Sequence, residues 1–241
     1  MMLLLDIGNS RCKWALVQDG KWVQQGVAGN TEWLALQLAF AGLPRPSRIL
    51  ASNVAGEAMA QRVRAVCAGW ECPLEFVTAS VEQCGVRNGY QQAGRLGSDR
   101  WAALIAAWSM VHGACLVVNC GTATTVDALS DRGEFLGGLI LPGAGLMQQS
   151  LATNTAQLMA EKGELRDFPL NTADAIHSGM LRATLGAIRH QFELLRARYG
   201  TVRCLIGGGA AEVVQPHLDL PSERVDNLVL KGLQIIGEIG A

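Results

Sequence analysis

The sequence predicts an α/β fold made of two similar halves, and three observations carry this prediction. The chain has 241 residues, of which 49% are hydrophobic and 17% charged, and this is ample for a buried core. Short apolar runs alternate with segments of helical spacing, so that the first half has the order β-β-β-α-β-α-β. A second strand–turn–strand pattern starts at residue 115. We therefore expect one domain over residues 1–114 and another over 115–241.

The first half opens with a predicted hairpin and a third strand. The apolar run 3–5 leads into the turn-rich segment 6–10, and strand spacing resumes at residue 13. Asp19-Gly20 predicts a tight turn before the third strand. A helix follows over 33–40, with Asn30 or Thr31 as its expected N-cap. The remaining predicted elements are strands over 49–54 and 74–78 and a helix over 57–67.

The second half repeats the opening pattern. A buried strand over 115–118 runs into a turn at 119–124, and a strand resumes after it. When Asp6 is placed on Asn119, 113 positions later, the matched pairs are Gly8 with Gly121, Ala15 with Ala128 and Leu16 with Leu129. Further on, the sequence predicts a long helix over 173–199 capped by Thr172, a strand over 203–206 and a last helix from residue 230.

Composition excludes several function classes. The net charge is -1, so no excess of positive charge indicates nucleic acid or an anionic membrane as a partner. The seven cysteines are odd in number and form no CxxC pair, which predicts reduced thiols in a cytoplasmic protein. Residues 101–126 lack charge and are long enough to span a bilayer, but their polar residues and Gly113 favour a buried helix followed by a buried strand.

Two short turns form a candidate phosphate clamp. Gly8 and Gly121 allow backbone N–H groups to approach phosphate oxygens closely, and nearby hydroxyls add donors. Asp6 can organise Mg²⁺ on those phosphates, and Lys13 can meet a phosphate as a point charge. The structural alternative is a tight turn whose aspartate accepts N–H groups. A third glycine-rich turn at 207–209 favours nucleotide binding over that alternative.

The segment 97–100 contains the most informative cluster of polar residues in the chain. Ser98 is the expected N-cap of a helix over 100–111, and the helix dipole alone would favour Asp99 in the first turn. The same dipole disfavours Arg100, which therefore indicates a bound anion or a partner for Asp99. In a functional site, Asp99 can accept a proton from a substrate hydroxyl and Arg100 can hold a carboxylate. These residues alone leave both interpretations open, as they do for Tyr90, which either lines a pocket or covers the surface.

Four motifs, taken together, resemble the signature series of the type III pantothenate kinase family, also named Bvg accessory factor. They are Asp6–Ser10, Gly97–Trp101, Gly121–Ala123 and Gly137–Gly143, in family order along nearly the whole chain. The resemblance implies two duplicated ribonuclease H-like domains around a nucleotide cleft, as in sugar kinases, Hsp70 and actin, and a homodimer. It also implies Mg²⁺- and ATP-dependent phosphorylation of pantothenate at its 4′-hydroxyl, the first step towards coenzyme A.

The resemblance also assigns site residues. Asp99 matches the proton acceptor of the family, and Thr172 matches a substrate-binding threonine near the dimer interface. The implied pantothenate contacts are Tyr90, Gly97, Ser98, Asp99 and Arg100. The implied ATP contacts are Gly121, Thr122 and the first phosphate loop, which consists of Asp6, Ile7, Gly8, Asn9, Ser10, Arg11, Cys12 and Lys13.

One departure from the family pattern concerns a monovalent cation. The family has an aspartate that helps to bind this cation where this chain has Asn119. An amide oxygen can ligate K⁺ or NH₄⁺ but brings no charge, so the sequence predicts weak cation dependence. Two other functions stay open. One is a different small-molecule kinase of the same superfamily; the other is a non-catalytic regulatory protein that binds nucleotide, which Asn119 slightly favours and the intact Asp6 and Asp99 oppose.

Overall fold

A computed structural model describes residues 1–154 and 162–239 of the chain. The described residues form two compact units: unit 1 combines residues 1–110 with those from 227 onward, and unit 2 lies within 111–226. The division into domains at 1–114 and 115–241 remains a prediction. By packing, the last helix groups with unit 1, although the sequence division assigned it to the second half.

Unit 1 is built on a five-stranded sheet. In chain order its elements are β1 (Met2–Ile7), β2 (Arg11–Gln18), β3 (Lys21–Gly29), α1 (Trp33–Ala41), β4 (Arg48–Asn53), α2 (Glu57–Cys67), β5 (Leu74–Phe76), β6 (Glu82–Gln83), β7 (Val86–Asn88) and α3 (Ser98–Val111). The sheet order is β3-β2-β1-β4-β5. Strand β1 runs antiparallel to β2 and parallel to β4, and β6 runs antiparallel to β7.

Unit 2 repeats this arrangement. Its elements are β8 (Cys115–Cys120), β9 (Ala123–Leu129), β10 (Glu134–Pro142), α4 (Ala144–Asn154), α5 (Thr172–Tyr199), β11 (Arg203–Gly207), α6 (Ala211–Val214) and β12 (Glu223–Arg224). The strands lie in the order β12-β11-β8-β9-β10, and β8 is antiparallel to β9 and parallel to β11. The predicted α/β fold with a duplicated strand–turn–strand unit is therefore confirmed.

The residue matches predicted beyond the two turns are wrong by one position. Ile7 pairs with Cys12 across the first turn, whereas Cys120 pairs with Thr124 across the second, so the second turn is one residue shorter. Consequently, Ala15 corresponds structurally to Asp127, and Leu16 to Ala128. An ungapped comparison of the two halves cannot detect this deletion.

The two faces of β1 pack against different helices. Leu3, Leu5 and Ile7 are buried in one hydrophobic cluster with residues of α1 and α2. The opposite face contacts the C-terminal helix α7 (Leu228–Ile239), where Gly237 lies against Met2 and Leu50. Helix α7 also meets α3 closely, because a Cβ on Gly232 would come within 1.8 Å of the Ala102 carbonyl oxygen.

We expect Gly232→Ala to destabilise the protein by about 2–3 kcal/mol, because the added methyl group meets backbone that cannot move aside. Equilibrium denaturant unfolding measures this change. Gly186→Ala is the matched control, since Gly186 lies within α5 and a Cβ there would meet nothing within 4 Å. The control should be neutral or stabilising by up to about 1 kcal/mol. Equal unfolding free energies for the two variants would contradict the close packing of α7 on α3.

Two predicted helix caps are corrected by the structure. The N-cap of α1 is Glu32, which forms no side-chain capping bond, and neither Asn30 nor Thr31 caps the helix. The N-cap of α5 is Asn171, whose side-chain oxygen accepts from the Asp174 N–H at 2.9 Å. Thr172 is the first residue of that helix instead. Asparagine is the stronger N-cap of the two, which explains the outcome.

The uncharged stretch 101–126 falls mainly within α3, β8 and β9. Among the helices of residues 1–154 and 162–239, none combines the length and the apolar character that a bilayer crossing requires.

Candidate active site

A row of polar side chains lies at the carboxyl end of β1. Asp6 is paired in register with Lys13 on β2 and with Ser52 on β4. Residues directly opposite each other on neighbouring strands point their side chains to the same face of the sheet. The row Lys13–Asp6–Ser52 therefore occupies one face of the unit 1 sheet, where the first phosphate loop begins.

Asp6 is held in an environment that disfavours its charge. Burial raises the pKa of Asp6 to about 7; Lys13 opposes this shift, and the Asp99 carboxyl group adds to it. Asp6 and Asp99 are thus close enough to interact electrostatically, although 93 positions separate them in the sequence. Two neighbouring carboxyl groups of shifted pKa are a common feature of catalytic sites.

The start of α3 is fastened to β4 by a buried hydrogen bond. The hydroxyls of Ser52 and Ser98 lie 2.9 Å apart, and both residues are buried. The prediction that Ser98 caps the helix is wrong, because α3 already includes Ser98 and its first turn closes on the Gly97 carbonyl, which accepts from the Trp101 N–H at 2.9 Å. The bond between Ser52 and Ser98 holds the first turn of α3, which carries Asp99, against β4, the strand that neighbours Asp6.

The Asp99 carboxylate folds back over the residue before its helix. Its Oδ1 accepts a hydrogen bond from the Arg100 backbone N–H at 2.8 Å. A Cβ on Gly97 would stand 2.6 Å from that same oxygen, so only glycine admits this rotamer. Burial raises the pKa of Asp99, while the N–H and the guanidinium of Arg100 lower it in part. The net effect makes Asp99 a better proton acceptor than an exposed aspartate.

Arg100 and Tyr90 form a pair beside Asp99. Arg100 is buried, its Nη1 donates to the Tyr90 hydroxyl at 2.9 Å, and its guanidinium lies 5.6 Å from the centre of the tyrosine ring. Asn88 holds the other end of Tyr90, because its Oδ1 accepts from the Tyr90 N–H at 3.0 Å. A buried arginine held in this way can bind a carboxylate in a fixed orientation.

Asn30 braces the turn of the first phosphate loop. Within the turn, Gly8 N–H donates to the Arg11 carbonyl at 3.0 Å. The Asn30 amide nitrogen donates to the carbonyl oxygens of Gly8 and Asn9, each at 2.7 Å. Sequence reasoning considered Asn30 only as a helix cap, and no motif signals this contact.

The remaining residues of the first phosphate loop divide by exposure. The side chains of Ile7 and Cys12 lie in the hydrophobic core, and burial raises the pKa of the Cys12 thiol to about 12. These two residues can therefore contact a ligand only through their backbone. The exposed residues of the loop are Asn9, Ser10 and Arg11.

The predicted ATP and cation contacts of unit 2 lie at the carboxyl end of β8. Gly121 N–H donates to the Ala123 carbonyl at 3.0 Å, and Thr122 is exposed at the tip of this turn. Gly208, at a φ of +93°, lies so close that a Cβ would come within 2.7 Å of the Asn119 Oδ1 and 2.4 Å of the Cys120 carbonyl oxygen. The glycine-rich turn 207–209 thus packs against the second turn, and only glycine fits there.

Thr172 lies in a different part of unit 2. It lines an open, mostly apolar groove of ≈ 910 Å³ together with residues of α4 and α5. Phe168 and Leu170, which precede α5, are 90% and 98% exposed.

The residues around the first phosphate loop can bind Mg²⁺ only together with substrate phosphate groups. Over residues 1–154 and 162–239, there is no cluster of three or more His, Cys, Asp or Glu side chains that could hold a metal ion. Mg²⁺ is usually bound through one or two carboxylates together with substrate phosphates, and Asp6 beside the first phosphate loop meets that description. The side chain of Asn119 carries one neutral oxygen, Oδ1, which lies beside Gly208.

Comparisons with known proteins agree with this arrangement. Residues 2–194 match the family model described as type III pantothenate kinase. The chain is 45% identical to the type III pantothenate kinase of Nitrosospira multiformis, over 98% of this chain and 90% of that protein. It is 46% identical to the corresponding protein of Aromatoleum aromaticum, over 98% and 97% of the two chains.

Two solved structures share the fold at low identity. A Campylobacter jejuni protein described as a Baf family transcriptional activator has a TM-score of 0.63 at 22% identity, covering 99% of this chain and 98% of its own. A Sinorhizobium meliloti protein described as a 2-dehydro-3-deoxygalactonokinase has a TM-score of 0.63 at 15% identity, with 99% of each chain covered. These likenesses confirm the predicted kinase-like fold. The family match and the relatives above 40% identity show that this chain belongs to the type III pantothenate kinase family.

Proposed function

We propose that this protein transfers the γ-phosphoryl group of ATP to the 4′-hydroxyl of pantothenate, giving 4′-phosphopantothenate and ADP in the first step of coenzyme A biosynthesis. Family membership supports this reaction. The structural observation that carries it is the hydrogen bond between Ser98 and Ser52, the residue in register with Asp6, because it brings the neighbouring Asp99 to the first phosphate loop as a candidate base.

The reaction needs positioning and charge stabilisation more than covalent chemistry. Asp99 accepts the proton of the attacking hydroxyl as the new P–O bond forms, and ADP leaves with the electrons of the broken bond. Lys13 meets phosphate oxygens as a point charge, and backbone N–H groups of the first phosphate loop add hydrogen bonds. Asp6 would hold Mg²⁺ together with phosphate oxygens, and the ion would supply positive charge to the phosphates.

Pantothenate is oriented by groups next to Asp99. Arg100 binds the substrate carboxylate, and Tyr90, which holds the arginine at 2.9 Å, limits its movement. Gly97 leaves room for the Asp99 carboxylate and Ser98 anchors the start of the helix, so both hold Asp99 in place for the substrate. Thr172 supplies a further substrate contact, in keeping with the family pattern.

The proposal includes a homodimer and a cytoplasmic location. Exposed Phe168 and Leu170 beside the groove at Thr172 form an apolar face on unit 2, and a second copy of the chain would cover it. Seven free cysteines are consistent with a reducing compartment. Sedimentation equilibrium tests the assembly, since a dimer has twice the mass of the 25.7 kDa chain.

An ADP-release assay tests the reaction. Purified protein receives ATP and Mg²⁺, with and without pantothenate, and phosphopantothenate is identified by mass spectrometry. Pantothenate-dependent release of ADP with equimolar product is the expected result. ATP binding without any pantothenate-dependent release would overturn the proposal and favour the non-catalytic regulatory function or another hydroxyl substrate.

Asn119 should make the enzyme respond only weakly to monovalent cations. A neutral amide oxygen attracts K⁺ less than a carboxylate would, so K⁺ or NH₄⁺ should stimulate turnover slightly relative to Na⁺. Asn119→Asp should steepen this response, and the measurement is turnover against K⁺ concentration at constant ionic strength. Superimposable K⁺ titrations for the two proteins would show that residue 119 does not contact the cation.

A further inference from the structure

We propose that Asn30 is a positioning residue for ATP: its side chain holds the turn of the first phosphate loop, residues 8–11, in the conformation that points backbone N–H groups at phosphate. This inference rests on the proposed function, which assigns ATP to that loop. It adds a residue outside the four motifs.

Asn30 draws three consecutive carbonyl groups to one side of the turn. Its amide nitrogen donates to the carbonyls of Gly8 and Asn9 at 2.7 Å, and its backbone N–H donates to the carbonyl of Ser10 at 3.0 Å. The peptide bonds of unit 1 are trans, and in a trans peptide the carbonyl and the following N–H point in opposite directions. The N–H groups of the three peptides therefore point away from Asn30, and successive N–H groups on one side form an anion-binding concavity.

The corresponding turn of unit 2, residues 121–123, shows by comparison what the Asn30 side chain adds to the first turn. Gly143 follows β10 as Asn30 follows β3, and its N–H donates to the Thr122 carbonyl at 2.9 Å, the same backbone bond. A Cβ on Gly143 would come within 2.3 Å of the Gly121 carbonyl oxygen, so the shorter turn closes directly on backbone. The first turn is one residue longer and leaves a space, which the Asn30 side chain fills with two hydrogen-bond donors.

The Asn30 side chain is a poor choice for stability alone. Its Oδ1 is buried and has no hydrogen-bond partner among the described residues. A buried unsatisfied oxygen offsets much of what the two donated bonds contribute. Its removal should therefore change the thermal midpoint little while it releases the turn.

Calorimetric titration with Mg²⁺ and ATP, without pantothenate, tests the role of Asn30. Asn30→Ala should weaken ATP binding about tenfold, since the turn loses two hydrogen bonds that hold its carbonyls. Asn30→Asp should weaken it at least as much, because a carboxylate oxygen replaces the donor and faces the Gly8 and Asn9 carbonyls. Both variants should keep a thermal midpoint within a few degrees of the parent protein.

Gln234→Ala is the matched control. Gln234 is another side-chain amide of unit 1; it donates to the Gly20 carbonyl at 2.9 Å, at the β2–β3 turn on the other end of the sheet. Its removal should leave the ATP dissociation constant within about twofold, since it braces no part of the first phosphate loop. The inference is overturned if both Asn30 variants bind ATP like the parent protein, or if Gln234→Ala loses as much affinity as they do.

The titration separates this inference from the proposed reaction. ATP binding needs no pantothenate, so a parent protein that binds ATP but releases no ADP would refute the reaction and still allow the comparison of variants. A parent protein that binds no ATP would overturn both.

Discussion

Replacement of Asp99 by asparagine should lower kcat by about 10²–10⁴-fold and leave the KM for ATP within about twofold. Asparagine keeps the shape and can still accept the Arg100 N–H through its oxygen, a bond of 2.8 Å in the parent protein. It cannot take a proton from the substrate hydroxyl, and general-base catalysis contributes a factor of this size. Steady-state kinetics with pantothenate and ATP varied separately measure both constants.

The environment of Asp99 explains why the loss should appear in kcat. Burial raises its pKa above that of an exposed aspartate, and this strengthens it as a base. Arg100 limits the rise, because its N–H and guanidinium favour the carboxylate. Neither effect involves ATP, so binding of the nucleotide should survive the substitution.

Asp219→Asn makes the same chemical change at an exposed site of unit 2, where the carboxylate pairs with Arg189 at 2.7 Å. A surface ion pair contributes little, so this variant should keep kcat within about twofold. If Asp99→Asn also retained more than about a tenth of the parent kcat, another group would have to accept the proton.

The order of helices and strands could be predicted because local sequence patterns indicate it. Alternating apolar runs, the Asp19-Gly20 turn and the two glycine-bearing turns determine where strands end, and the duplicated sheet order follows. The register of the second hairpin could not be predicted in the same way. A one-residue deletion in a turn leaves no local signal in the sequence. Ala15 and Ala128 therefore match in the ungapped sequence comparison but are not equivalent in the strand pairing.

The site was predictable where its residues adjoin a glycine turn or share a motif. Asp6 and Asp99 each stand out locally, but their proximity depends on the parallel pairing of β1 with β4 and on the bond between Ser52 and Ser98. Asn30 and Ser52 were not predicted as site residues. Each acts through a contact with a residue 22 to 46 positions away, and an isolated Asn or Ser gives no sign of such a partner.

The second large effect concerns stability in the absence of ligands. Asp6→Asn should raise the free energy of unfolding at pH 8 by up to about 4 kcal/mol, because it removes a carboxylate that the fold disfavours. Burial raises the pKa of Asp6 from the ordinary 3.8 to about 7. Between these two pH values the folded state binds more protons than the unfolded state, so Asp6 makes the parent protein less stable as pH rises from about 4 to about 7. Denaturant unfolding at several pH values, with EDTA present, measures the difference.

The difference between Asp6→Asn and the parent protein should therefore be small at pH 4, grow towards pH 7 and level off above it. Asp174→Asn supplies a control of opposite sign. Hydrogen bonds from the Glu164 N–H and the Asn171 amide lower the pKa of Asp174, so its carboxylate stabilises the fold above about pH 4 and that contribution is lost as pH falls. A pH-independent difference for Asp6→Asn would mean that Asp6 is already ionised without cost in the folded protein. The expected profile would instead show that the charge of Asp6 is unfavourable in the folded protein when no cation is bound.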